Sequence, residues 1–85
     1  MNWIVLVAER ARKELEKFPK PDRDRIFEVI KELQVNPYQG DIEKMEGEEF
    51  IWRRRVGSYR IFYELYPHKR IVNIFRVERR TSKTY

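Results

Sequence analysis

The stretch YRIFYELY at residues 59–66 constrains the fold more than any other part of the chain, because its side chains alternate between two chemical classes. Large apolar or aromatic side chains occupy every second position, at Tyr59, Ile61, Tyr63 and Leu65. In a β-strand, every second side chain points to the same face of the sheet. The stretch therefore predicts a strand with one face against a core, while Arg60, Phe62 and Glu64 share the opposite face.

Two further strand-like segments flank this stretch. Residues 50–56 and 70–78 are rich in β-branched and aromatic side chains, and the turns Gly57-Ser58 and Pro67-His68-Lys69 separate them from it. Such short connections join antiparallel neighbours. Residues 50–78 therefore predict a three-stranded antiparallel meander.

The first half of the chain indicates one strand followed by two helices. Residues 3–7 are a short β-branched run, and apolar residues then recur at helical spacing over 8–18 and again from about Asp22 onward. The stretch FPKPD separates the two helices and Asn36-Pro37 ends the second, because proline does not continue a helix.

The element order βααβββ predicts an α+β fold of a single domain, residues 1–85. We expect the two helices to form a hairpin that covers one face of a mainly antiparallel sheet, with the other face open. The chain has no cysteine and one histidine, so we expect no disulfide, no metal site and no cofactor. It also has no apolar run of membrane-spanning length, and we expect a cytoplasmic protein.

Positive charge is concentrated in the predicted sheet. Residues 50–85 hold 10 Lys/Arg and 2 Asp/Glu, a net charge of +8, whereas residues 1–49 hold 9 Lys/Arg and 12 Asp/Glu, a net charge of −3. A one-sided basic patch is typical of proteins that bind polyanions, and a solvated charged face is the alternative. The placement of the arginines on the strands favours the polyanion binder.

Alternation divides the arginines of residues 52–56, WRRRV, between the two faces of the sheet. Arg53 and Arg55 fall on the open face together with Arg60, which predicts a cluster of guanidinium groups there. Arg54 falls on the predicted core face, whose other members in this strand are Phe50, Trp52 and Val56. We expect either that the Arg54 stem is buried and its head reaches an edge, or that a β-bulge shifts the phase of the strand.

Arginine and tyrosine suffice for one reaction class, the cleavage of RNA by its own 2′-hydroxyl. The substrate supplies the nucleophile, so the protein must align it and stabilise the charge that develops on the phosphate. The planar arginine fork matches phosphate oxygens, but a pKa above about 12 makes arginine a poor proton acceptor. Only Glu64 and Glu78 supply carboxylates in the basic half, and His68 lies in a turn where we expect it to be merely exposed.

The stretch WRRRVGSYRIFY, residues 52–63, resembles the signature of the RelE/ParE superfamily of toxin proteins, which reads aromatic-Arg-x-Arg-Val-Gly-x-Tyr-Arg, two apolar residues and Tyr. LEKFP at 15–19, KMEG at 44–47 and VERR at 77–80 resemble further segments of the family. The resemblance implies a RelE-like fold with a helical hairpin on a curved sheet. It also implies an enzyme, a metal-independent endoribonuclease that enters the ribosomal A site and cuts mRNA with the 2′-hydroxyl.

The resemblance also implies which side chains carry the reaction: Arg53, Arg55, Arg60, Arg79, Arg80 and Tyr85. By this resemblance, Arg53 and Arg55 occupy strand positions that carry lysines in well-studied members, and Arg60 falls at the position of the arginine that stabilises the transition state. The second such arginine is Arg80 when counted from Val77, or Arg79 when counted back from the last tyrosine. The resemblance likewise implies that Tyr85 falls at the position of the aromatic residue that stacks on a base.

The implied partners are an acidic, RelB-like antitoxin in a toxin–antitoxin hetero-oligomer, the ribosome and mRNA, and no membrane. Opposite charge would speed the encounter of the basic half with an acidic antitoxin segment. Two alternatives remain open. One is a ParE-like toxin that inhibits a topoisomerase, and the other is a non-catalytic nucleic-acid binder or disarmed homologue kept for its partner.

Overall fold

Two helices and five strands make up residues 2–80, the part of the chain that the computed structural model describes. In chain order they are β1 (Ile4–Val7), α1 (Glu9–Glu16), α2 (Lys20–Val35), β2 (Ile42–Lys44), β3 (Ile51–Val56), β4 (Tyr59–Tyr66) and β5 (Ile71–Arg79). The strands form one sheet in the order β1-β5-β4-β3-β2. β1 pairs in parallel with β5, and the other neighbouring pairs are antiparallel, which confirms the predicted α+β fold and its mainly antiparallel sheet.

The core lies between the two helices and one face of the sheet. Ala11 and Leu15 of α1 and Ile26, Val29 and Leu33 of α2 are buried there. The core face of β4 is the one that alternation predicts, and its members are at most 4% exposed: Tyr59, Ile61, Tyr63 and Leu65. Burial of these large side chains on one face is the main source of stability for a two-layer fold.

Prolines lie at the junction between the two helices and just beyond the end of α2. α1 ends at Glu16, just before FPKPD, and α2 begins at Lys20, slightly earlier than the sequence pattern predicts. Pro21 fits within the first turn of α2 because amide groups there have no acceptor inside the helix. α2 ends at Val35, directly before Asn36, as predicted. Within residues 2–80, neither helix is long and apolar enough to cross a membrane.

The short strand β2 is missing from the predicted order βααβββ, and the structure corrects that order. Its three residues pair antiparallel with β3, with Ile42 opposite Arg54 and Glu43 opposite Arg53. A segment of this length carries too little alternation to be distinguished from a loop. β2 therefore adds an edge strand to the sheet, directly beside the arginines of β3.

The prediction that Phe50 shares the core face is wrong. β3 begins at Ile51, so Phe50 precedes the strand, and its side chain is 49% exposed. Its ring stacks on Tyr66, with 6.0 Å between the ring centroids. Because side chains alternate between faces only within an extended strand, the pattern overextends by one residue here.

Arg54 lies on the core face of β3, and the expectation of a buried stem is confirmed. Its guanidinium donates hydrogen bonds to Glu32 Oε1 at 2.7 Å and to the Gln39 carbonyl at 3.2 Å. The alternative of a bulge in this strand is wrong, since the register with β4 is continuous from Ile51 to Val56. Arg54 therefore joins the sheet to α2 and to the loop that follows α2.

Candidate active site on the open face of the sheet

The open face of the sheet carries arginine at one end, as alternation predicts. Arg53 and Arg55 project from β3 and Arg60 projects from β4, and Arg55 lies directly opposite Arg60 in the antiparallel register. Their neighbours along the strands, Val56 and Tyr59, are buried on the other face. The predicted clustering of these three guanidinium groups is therefore confirmed.

A fourth arginine joins this face at the end of β5. The backbone amide of Arg80 donates to the Ser58 carbonyl at 2.6 Å, which ties the end of β5 to the turn between β3 and β4. Beside this contact is a cleft of about 200 Å³ that is lined by Arg55, Gly57, Ser58, Tyr59, Arg60 and Arg80. The arginine cluster consists of four side chains: Arg53, Arg55, Arg60 and Arg80.

Arg79 does not join the arginine cluster. It lies opposite Tyr59 in the register, and its guanidinium carbon is 5.9 Å from the centroid of the Tyr59 ring, on the helix side of the sheet. Of the two positions between which the family motif leaves a choice, Arg80 is the one next to Arg60. Tyr85 lies outside the described residues, so its assignment as the base-stacking aromatic residue stays a prediction.

The arginine cluster concentrates positive charge around Arg60. Burial has the largest effect on this side chain and lowers the pKa of its guanidinium. The positive charges of the other three cluster members lower that pKa further, while the Glu78 carboxylate opposes them. Guanidinium groups that repel one another in this way attract an anion that can lie between them. The arrangement suits a phosphate group, whose oxygens match the arginine fork.

Two carboxylates that the sequence does not associate with the arginines lie among them. Asp41 Oδ2 accepts a hydrogen bond from Arg55 Nε at 3.0 Å, and Glu43 forms an ion pair with Arg53. A second cleft of about 50 Å³ is lined by both carboxylates and also reaches Arg60. Both carboxylates come from outside the basic half of the chain, whose own carboxylates are Glu64 and Glu78.

Asp41 and Glu43 reach the site because β2 runs alongside β3. The Arg55 amide donates to the Asp41 carbonyl at 2.9 Å, and Glu43 lies opposite Arg53. Sequence reasoning misses both residues because they precede their arginines by 14 and 10 positions, respectively. The one usable signal is their spacing around Ile42, since residues two apart share a face of a strand.

The four members of the arginine cluster differ in their partners. Arg53 and Arg55 each hold a carboxylate, whereas Arg60 and Arg80 form no ion pair within residues 2–80. The pair between Arg55 and Asp41 is weakly held, because their side chains are 61% and 60% exposed and water screens the attraction. An incoming anion can therefore bind Arg60 and Arg80 without first displacing a carboxylate from them.

The sequence of residues 5–83 matches the family model described as ParE toxin of type II toxin-antitoxin system, parDE. The chain belongs to this toxin family. The match begins within β1 and includes both helices and the other four strands, so it covers nearly all of the described fold and not the arginine motif alone. The resemblance to the RelE/ParE superfamily that WRRRVGSYRIFY indicates is thereby confirmed.

Several relatives that are similar to this toxin in sequence and shape carry the RelE name. A protein named RelE1 from Methanocaldococcus jannaschii is 29% identical over 83 residues, which cover 94% of this chain and 92% of the relative. A chain of the archaeal RelE-RelB complex from Pyrococcus horikoshii OT3 has a TM-score of 0.84 at 25% identity, covering 98% of this chain and 100% of that chain. A chain of the RelB-RelE antitoxin-toxin complex from Methanococcus jannaschii has a TM-score of 0.73 at 31% identity, covering 87% and 88%.

Proposed function

We propose that this RelE-family toxin is a ribosome-dependent endoribonuclease that cleaves mRNA in the ribosomal A site, through attack of an RNA 2′-hydroxyl on the neighbouring phosphate. The bond from phosphorus to the 5′-oxygen of the next nucleotide breaks, that oxygen takes a proton from water, and a 2′,3′-cyclic phosphate remains on the other fragment. The observation that carries the proposal is the pair Arg60 and Arg80 at one cleft, neither of them held by a carboxylate of residues 2–80. Two arginine forks at one site suit a phosphate whose negative charge grows in the transition state. The similarity to RelE proteins over nearly the whole chain supports the same function.

The members of the arginine cluster take different roles in this proposal. Arg60 and Arg80 hold the oxygens of the scissile phosphate, while Arg53 and Arg55 bind the neighbouring RNA backbone. The RNA supplies the nucleophile, so the protein contributes alignment and positive charge. Positive charge accelerates the reaction only to the extent that it stabilises the transition state more than the bound substrate. The arginines meet this condition because the phosphate carries more negative charge in the transition state than in the substrate.

Removal of the proton from the 2′-hydroxyl requires an acceptor, and arginine is unsuited to that step. The carboxylates of Asp41 and Glu43 lie beside the arginine cluster and supply groups of the right chemistry. We expect the RNA phosphate to compete for their arginines and so to release a carboxylate for this role. A pH–rate profile for cleavage by Asp41→Asn and Glu43→Gln tests the idea, since an acidic limb that neither variant changes contradicts it.

We also propose that this toxin has a cognate antitoxin as its partner. The solved relatives from Pyrococcus horikoshii OT3 and Methanococcus jannaschii are complexes of RelE with RelB. Residues 50–85 of this chain carry a net charge of +8, so an acidic antitoxin segment would associate quickly and salt would weaken the complex. The arginine cluster is the surface that such a segment would cover.

The experiment that tests the proposed reaction uses purified ribosomes with a defined mRNA codon in the A site. We expect the toxin to cut the message in that codon and to leave the same message intact when ribosomes are omitted. A message with one 2′-deoxynucleotide directly before the scissile phosphate should resist cleavage, because it lacks the nucleophile. A message that stays intact at every codon tested contradicts the proposal.

Inhibition of a topoisomerase is the second candidate function, because the matching family model carries the ParE name. A DNA gyrase supercoiling assay with the same purified toxin separates the two candidates. Loss of supercoiling together with intact mRNA favours the topoisomerase. Binding of RNA without effect on either substrate indicates a non-catalytic binder.

A further inference from the structure

β5 changes its phase part-way along, and this change decides which side chains reach the open face. Val72 and Ile74 face the core, so strict alternation would send Arg80 to the core side as well. Instead the next buried residue is Val77, because Phe75 has no partner in β4 and forms a β-bulge. The bulge therefore turns Arg80 to the open face, where it meets Arg60.

Contacts on the open face hold the bulge. The Phe75 ring packs against Phe62 with 6.4 Å between centroids, and the Arg76 guanidinium carbon lies 5.6 Å from the same Phe62 ring. Arg76 also forms an ion pair of 2.8 Å with Glu78. Consecutive side chains of a regular strand point to opposite faces, so these contacts stabilise an arrangement that only a bulge allows.

Helix α1 supplies a second restraint just after the bulge. β1 covers the edge of β5 only as far as Ile74, whose carbonyl accepts the last backbone hydrogen bond from Ala8 at 2.8 Å. Further along, the Val77 amide donates to Glu14 Oε1 at 2.8 Å. A carboxylate of α1 therefore takes the place of a strand partner on this edge and holds β5 at the first buried residue beyond the bulge.

We propose that Glu14 is a positioning residue for Arg80. By holding the Val77 amide, Glu14 fixes the phase of β5 after the bulge and so keeps Arg80 beside Arg60, although Glu14 does not line the cleft. The consequence for RNA cleavage rests on the function proposed above. The consequence for the position of Arg80 does not, and it can be measured without any substrate.

Amide hydrogen exchange of the full chain tests the structural part of the proposal. Glu14→Gln keeps an oxygen acceptor, Glu14→Leu removes it, and Glu14→Asp keeps the charge on a side chain too short to reach. We expect exchange at the Val77 and Arg80 amides to accelerate about tenfold or more in the Leu and Asp variants, with β3 amides as the internal control. Glu14→Gln should remain close to wild type.

An Arg80 amide that exchanges at the wild-type rate in the Leu and Asp variants overturns the proposal. If Glu14→Leu does not fold, the comparison of Glu14→Asp with Glu14→Gln decides the question. A Glu14→Gln variant that exchanges as fast as Glu14→Asp also counts against it, because the amide oxygen retains the acceptor and only the charge is lost.

A double-mutant cycle on ribosomes tests the catalytic part. We expect Glu14→Leu to lower kcat for mRNA cleavage about tenfold with KM nearly unchanged, and to have no further effect when Arg80 is already replaced by Ala. If Glu14→Leu lowers kcat by the same factor in wild type and in Arg80→Ala, Glu14 does not act through Arg80. If the wild-type toxin does not cleave mRNA, the proposed function fails, while the exchange measurement still decides whether Glu14 positions Arg80.

Discussion

Arg54 is a charged side chain built into the core side of a sheet. Two of its guanidinium nitrogens donate to Glu32 and to the Gln39 carbonyl, while its Nε is buried without a partner in residues 2–80. The guanidinium also packs tightly against Gly40, where a Cβ atom would lie 2.5 Å from Arg54 Cζ. An interior arginine of this kind restricts its neighbours, because a buried charge that loses its partners is strongly unfavourable.

Replacement of Gly40 by alanine tests this restriction. Gly40 has φ of +98° and faces Arg54, whereas Gly47 has φ of +81° with no atom within 4 Å of the added Cβ. We expect Gly47→Ala to lower the free energy of unfolding by about 1 kcal/mol from backbone strain, and Gly40→Ala to lower it by roughly 2–4 kcal/mol. Urea unfolding of both variants measures the difference, and equal losses would contradict the role of Arg54.

Arg80 and Arg79 form a matched pair for mutagenesis, since they are adjacent and lie on opposite faces of the sheet. We expect Arg80→Ala to reduce mRNA cleavage on ribosomes about 100-fold, as removal of one charge-stabilising donor commonly does. Arg79→Ala should remain within a few-fold of wild type, because its guanidinium lies against Tyr59. The reverse order of effects would assign the family's second arginine to Arg79.

At the scale of the strands, alternation predicts the faces of long regular segments and fails where pairing partners decide the geometry. β4 has eight residues and few ambiguities, so its core face follows from the sequence. β2 has three residues and is defined by its pairing with β3. The sequence alone therefore does not predict that Asp41 and Glu43 lie beside the arginines. The choice between Arg79 and Arg80 stays open for the same reason, because the bulge at Phe75 depends on contacts with β4 and α1.

The contact between β4 and the loop after α2 should depend on pH. Burial raises the pKa of Tyr63 to about 12, partly opposed by the positive charge of Arg54, and the Tyr63 hydroxyl donates to the Pro37 carbonyl at 2.9 Å. In the unfolded chain a tyrosine loses its proton near pH 10. The stabilisation from the neutral hydroxyl is therefore fully present below about pH 10 and is lost as the pH rises toward about 12.

Urea unfolding of wild type and Tyr63→Phe at a series of alkaline pH values measures this effect. We expect wild type to lose about 1.4 kcal/mol more than Tyr63→Phe for each pH unit between about 10 and about 12. Phenylalanine cannot ionise, so the variant reports the titration of all other groups. Parallel stability curves for the two proteins would contradict the assignment.

Across the whole molecule, the distribution of charge that favours the binding of an anion also lowers the stability of the folded state. Residues 1–49 carry a net charge of −3 and residues 50–85 carry +8, and the arginine cluster crowds four positive groups on one end of the open face. Repulsion within such a cluster weakens the folded state, which is a common cost at sites that bind charged ligands.

Arg60→Gln should therefore raise the melting temperature while it abolishes most of the cleavage activity. Lys69→Gln removes the same charge from an exposed turn at the other end of β4 and is the control for net charge. The gain in melting temperature from Arg60→Gln should shrink as salt is added, because salt screens the repulsion. A variant that melts below both wild type and Lys69→Gln at low salt would contradict this account.

The position of β5 between β1 and β4 has a consequence for the timing of synthesis. β1 leaves the ribosome before the other four described strands, yet its neighbour in the sheet is β5, so the nascent chain must wait for residues 71–79 before the sheet can close. Arg80 follows that strand, so the arginine cluster is also completed late. A chain truncated after Tyr66 should accordingly show no cooperative melting by circular dichroism. The toxin thus acquires its arginine cluster only after all five described strands have left the ribosome.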